Sequence, residues 1–195
     1  PDIGLIRKAL EHSNRFKPVL KQASKFNGKL SDYNMVVLHQ VPSGNFVEDR
    51  WFAEVVDKKI PYWLILGPQS DFSTFNQGQN ALLLSELNGD FEEASARLNE
   101  RFSVFQVDPV LQRNIAFLPP LNVPFGNYNL KRGNELFKQN LHGVETDRPA
   151  WFFTDQPYRI SVLAGTGIWK WGMYLYRQTA SHQSLDDLIY KTVKF

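Results

Sequence analysis

The chain has 195 residues, no cysteine and a formal net charge of +2. That length supports one domain, residues 1–195, with a core that needs no covalent staples, and the missing Cys excludes disulfides, thiolate metal centres and Cys nucleophiles together. The small charge, with basic residues as dispersed as Lys17, Lys21, Lys25 and Lys29, lacks the clustered footprint of nucleic-acid binding.

In chain order, Ile3, Ile6 and Leu10 with Leu5 and Ala9 predict an amphipathic helix that starts on Pro1. Phe16–Leu20 reads as a short strand. Met35–Leu38 is an apolar run of the kind buried on both faces of a parallel sheet; it ends in the turn-rich loop from His39 to Gly44. A helix is predicted over Val47–Lys58 and a second buried strand over Tyr62–Leu66. Asp71 reads as the N-cap of a helical turn through Asn76. Strand, loop, helix, repeated, is the pattern of βαβ units around a parallel sheet.

The middle departs from that rhythm. Leu82–Leu87 and Asp90–Leu98, joined by Asn88–Gly89, predict a hairpin with a type I′ turn. A helix near Asp108–Phe117 has Asp108 as cap and Pro109 at its first position. Phe125–Leu130, Glu135–Leu141, Ala150–Thr154 and Arg159–Ala164 read as strands, antiparallel in part. Gly165–Gly167 breaks the last of them into a helix over Trp169–Tyr176. Ser184 and Asp187 have the spacing of a capping box for a final helix. No apolar run approaches the roughly 20 residues of a membrane-spanning helix, and no signal peptide is evident. The chain opens on one helical pattern and stops inside another, so it is expected to be a piece of a longer protein, with any membrane anchor in segments outside it.

The segments MVVLHQVPS (Met35–Ser43), IPYWLILGPQSDF (Ile60–Phe72), FLPPLNVPFGNY (Phe117–Tyr128), GVETDRPAWFF (Gly143–Phe153) and LAGTGIWKWGMYLY (Leu163–Tyr176) follow one another across nearly the whole chain. In this order they resemble the class I glutamine amidotransferase-like domain of large bacterial membrane-anchored proteins of unknown function. The resemblance implies an α/β, flavodoxin-like fold: a mostly parallel sheet flanked by helices, here with an antiparallel hairpin insertion. It also implies a periplasmic or cell-envelope location. The wider superfamily uses a Cys at a strand-turn-helix elbow with a His and a Glu after a late strand. Here the elbow offers Leu66, Gly67 and Pro68, and the late strand runs into Gly165, Thr166 and Gly167. Glutaminase chemistry is therefore not expected, since covalent catalysis needs an activated nucleophile beside a base.

Ligands of open α/β sheets bind outside the carboxyl ends of the strands. The loops leaving such ends are His39–Ser43, Gly67–Asp71, Thr154–Gln156 and Gly165–Gly167. Candidate ligand-binding residues are His39, Gln40, Gly67, Gln69, Asp71, Gly165, Thr166, Gly167 and Trp169. His39 follows a buried strand directly and is the proton-transfer candidate; satisfying a loop carbonyl would explain it as well. Asp71 reads either as orienting His39 or as a helix cap alone. Gly165-Thr166-Gly167 ahead of a helix reads either as an anion-holding turn or as tight chain reversal. Of Trp169 and Trp171, one is expected in the core and one near the crevice. The four His share no metal-binding spacing, so no catalytic residue, metal or cofactor is assigned. The expected function is a non-catalytic binding or interaction module with a small-molecule or protein partner. The alternative is a hydrolase or sugar-modifying enzyme centred on His39, without a Cys nucleophile.

Overall fold

The computed structural model describes all residues, Pro1–Phe195. The helices are α1 (Asp2–Glu11), α2 (Phe46–Asp57), α3 (Phe72–Gly78), α4 (Pro109–Asn114), α5 (Ile168–Thr179) and α6 (Gln183–Lys194). The strands are β1 (Val36–His39), β2 (Tyr62–Ile65), β3 (Leu82–Ser85), β4 (Phe91–Leu98), β5 (Leu121–Pro124), β6 (Asn127–Leu130), β7 (Asn134–Leu141), β8 (Val144–Thr154) and β9 (Ile160–Leu163). No helix is long and apolar enough to cross a membrane.

Seven strands form one sheet in the order β1-β2-β9-β8-β7-β4-β5, and β3 pairs with β6 in a separate two-stranded sheet. Only β1–β2 and β2–β9 are parallel. The other four pairings of the large sheet, β8–β9, β7–β8, β4–β7 and β4–β5, are antiparallel. The expected mostly parallel, flavodoxin-like sheet is thus overturned: the parallel part is a three-strand corner of a mixed, mainly antiparallel sheet. Turn chemistry explains the difference. His142 and Gly143 both have positive φ, 51° and 87°, and join β7 to β8 with Leu141 facing Val144. Two positive φ values in a two-residue loop are the requirement of a type I′ hairpin.

The hairpin expected at Asn88–Gly89 does not form. Gly89 has φ +88° but Asn88 is not in the left-handed region; its side chain instead accepts from the Asp90 N–H at 3.0 Å. β3 then leaves to pair with β6, and β4 pairs with β5 and β7. Phe16–Leu20 is irregular, and β5, flanked by prolines, is an additional strand. β5 sits on the sheet edge, where Pro is tolerated. At α6 the cap position falls on His182 with no side-chain bond, and Asp187 pairs with Lys191 at 2.6 Å.

Period-two alternation divides the core between the two faces of the large sheet. Trp63 and Ile65 of β2, Trp151 and Phe153 of β8 and Leu163 of β9 face the layer of α1, α5 and α6. Tyr62, Leu64, Phe152, Ile160 and Val162 face α2 and α3. The spacing Ile168, Trp171, Gly172, Leu175 buries one stripe of α5. Gly172 is where α1 approaches: a Cβ there would stand 2.9 Å from Leu5 Cδ1.

Candidate functional site

The carboxyl ends of β1, β2 and β9 lie side by side, because His39 registers with Ile65 and Ile65 with Leu163. The chain leaves these ends as the loops at His39–Gln40, Leu66–Gly67 and Gly165–Gly167. A fourth piece arrives from across the sheet. Asn122 of β5 makes an antiparallel bridge to Thr166, with N–H···O distances of 2.9 and 3.0 Å. The far end of the antiparallel region therefore curls back to wall the mouth of the parallel corner. Gly165 permits this approach, since a Cβ there would meet the Asn122 carbonyl oxygen at 2.8 Å.

Between these loops and the start of α1 lies an open cleft of about 380 Å³. His39, Gln40, Thr166, Gly167 and Trp169 line it, joined by Asp2, Glu93, Asn122 and Lys170. Trp169 is half-buried at the cleft while Trp171 is fully buried, and the Trp171 indole N–H donates to the Pro119 carbonyl at 2.8 Å. The other candidates stand behind or beside the lining. Gly67 is the floor against which Gln40 and Thr166 pack; a Cβ would meet Gln40 Oε1 and Thr166 Cγ2, each at 2.6 Å. Gln69 contributes its backbone N–H. Asp71 caps α3, accepting from the Ser73 N–H at 3.0 Å and the Thr74 hydroxyl at 2.6 Å. The Thr154–Gln156 loop lies at the opposite end of the sheet, because Thr154 faces the first residue of β9.

Asp2 is the member that sequence reasoning missed. It is 2% exposed, and its two carboxylate oxygens accept from the N–H groups of Gly167 and Trp169, each at 3.0 Å. These are donors at the start of α5, where a negative charge also meets the favourable end of the helix dipole. His39 Nε2 is 3.7 Å from Asp2 Oδ2. Burial by itself pushes the Asp2 pKa up; the His39 imidazole and the two N–H donors outweigh it and hold the carboxyl below its ordinary value.

The orientation of His39 follows from its neighbours. The Gln69 N–H donates to Gln40 Oε1 at 3.0 Å, which fixes the carboxamide and turns its Nε2 toward His39 Nδ1 at 3.5 Å. Carboxamide nitrogen is only a donor, so Nδ1 accepts and Nε2 carries the proton of the neutral ring. That Nε2 is shielded from solvent without a hydrogen-bond partner. Gln40 reaches this arrangement from a left-handed backbone, φ 56°.

No family model matches the chain, and no curated protein matches it. Among solved structures, Alpha-L-fucosidase isoenzyme 2 from Paenibacillus thiaminolyticus is similar over 87% of this chain, with 11% identity and a TM-score of 0.46. The chain spans 24% of the length of that protein, and a likeness of this degree carries no argument about the cleft.

Proposed function

We propose that this chain is a non-catalytic binding module of an envelope-anchored bacterial protein, and that the strand-end cleft is its ligand site. The envelope setting rests on the resemblance of the segments quoted above. The non-catalytic reading rests on one observation: both ring nitrogens of His39 face protein groups, Nδ1 the Gln40 carboxamide at 3.5 Å and Nε2 the Asp2 carboxylate at 3.7 Å. In a base held by a carboxylate, one ring nitrogen meets the carboxylate and the other faces the reacting group. Here the second nitrogen faces a carboxamide. The elbow residues Leu66 and Gly67 supply no nucleophile. The competing enzyme reading draws on the approach of Asp2 to His39, and it requires Gln40 to swing away and break its bond to the Gln69 N–H.

The test is turnover. Ammonia release from glutamine and hydrolysis of chromogenic esters and glycosides should not exceed the buffer rate, and His39→Ala should behave as the wild type does. Turnover that His39→Ala abolishes in a folded protein would refute the non-catalytic reading.

A further inference from the structure

A helix N-terminus is the default anion site of an α/β fold, since its first N–H groups lack intrahelical partners. In this chain that site is filled from within. The Gly167 and Trp169 N–H groups both donate to Asp2, whose burial removes it from exchange at the surface. The carboxylate stands where a phosphate or carboxylate ligand would otherwise sit.

The other charges of the cleft offer an anion little. Lys170 directs its ammonium to the Pro120 carbonyl at 3.5 Å, and Glu93 adds a second carboxylate to the lining. A metal cation finds no cage either: both Asp2 oxygens are engaged, and no three His, Asp or Glu side chains gather in the chain. Pro1 and His39 also line the cleft, and its other side chains are uncharged: the Thr166 hydroxyl, the Gln40 and Asn122 carboxamides and the Trp169 indole, the one large apolar side chain among them. Carboxamides and hydroxyls both donate and accept, which is what a ligand hydroxyl needs on each side. An indole supplies apolar area with a polar edge, suited to the C–H face of a pyranose. The volume, about 380 Å³, is at the lower end of small-molecule sites.

We infer that the cleft takes a neutral, hydroxyl-rich ligand of mono- or disaccharide size, and that Asp2 excludes free anions by occupying their site. This rests on the binding reading above and narrows its ligand class.

The experiment titrates ¹⁵N-labelled protein and follows the Thr166 amide and the Trp169 indole. The neutral probes are glucose, galactose, N-acetylglucosamine and their β-linked disaccharides; the anionic probes are glucose 6-phosphate and inorganic phosphate. At least one neutral saccharide should shift both signals, phosphate should shift neither, and Trp169→Ala should weaken saccharide binding about tenfold or more. Asp2→Ala frees two N–H donors and should gain a phosphate-induced shift at Thr166. If Asp2→Ala does not fold, the wild-type comparison and Trp169→Ala decide the matter. Shifts at Thr166 and Trp169 with the anionic probes and none with the neutral ones overturn the ligand class and leave the binding cleft standing. Shifts confined to another surface, or none with any probe, overturn both.

Discussion

Asp2 lies in the first turn of α1 yet makes its side-chain bonds to Gly167 and Trp169, with His39 at 3.7 Å. A carboxylate whose folded pKa lies below its unfolded value stabilises the fold fully above the unfolded value and loses that contribution as pH falls through the folded one. Asp2 is such a group. Asp2→Asn should therefore lower stability at neutral pH by about 1–3 kcal/mol, and its gap to the wild type should narrow below about pH 4. Urea unfolding at a series of pH values measures this; parallel curves for the two proteins would contradict it. Nothing local in the sequence marks this role. Beside Pro1, Asp2 reads as an ordinary first-turn acid, and its partners stand more than 160 residues away. His39, by contrast, was legible because it ends a buried apolar run, and helical spacing put Trp169 and Trp171 on different sides of the helix without saying which is core.

At the scale of elements, the decisive contact is the one between β5 and the Gly165–Gly167 turn. Gly165→Ala would place a methyl 2.8 Å from the Asn122 carbonyl oxygen, a backbone atom that cannot turn aside. It should cost about 1–3 kcal/mol by overpacking and speed hydrogen exchange at the Thr166 N–H, while an unchanged exchange rate would count against the bridge as the cleft wall. Trp171→Ala, which empties the α5–sheet interface and frees the Pro119 carbonyl, should cost about 3–5 kcal/mol in denaturant unfolding. The helices were legible because amphipathic stripes and most caps are local: Asp108 with Pro109 opens α4 and Asp71 caps α3, whereas the capping box expected at Ser184 does not form. The strand pairings were not. Asn88–Gly89 carries a hairpin signature, but β3 finds a better partner in β6. The true type I′ turn falls on His142–Gly143, a dipeptide with a weaker signal, and β5 was hidden between prolines that only an edge position allows.

On the scale of the whole molecule, one sheet serves two apolar layers, and β2, which carries both Trp63 and Tyr62, contributes to both at once. Loss of either layer strips the shared sheet of one face. Thermal unfolding should therefore be a single transition, with tryptophan fluorescence and far-UV circular dichroism coincident; separated midpoints would show that the layers unfold independently. The same sheet explains how the site was partly readable. Its parallel corner follows the strand-end rule, so His39, Gln40, Thr166, Gly167 and Trp169 could be gathered from loop positions. The residues supplied by the antiparallel part, Glu93 and Asn122, depend on long-range curvature that no short segment encodes.

That the cleft is arranged to bind and not to react turns on the contact that occupies His39 Nδ1 with the Gln40 carboxamide. Long-range ¹H–¹⁵N correlation of the imidazole reads this directly. The account predicts a single Nε2–H tautomer with a slowly exchanging ring proton, and loss of that tautomeric preference in Gln40→Ala. An Nε2–H tautomer that persists unchanged in Gln40→Ala would show that Asp2 alone orients the ring, contradict the commitment of Nδ1 to Gln40 and return His39 to the role of an available base.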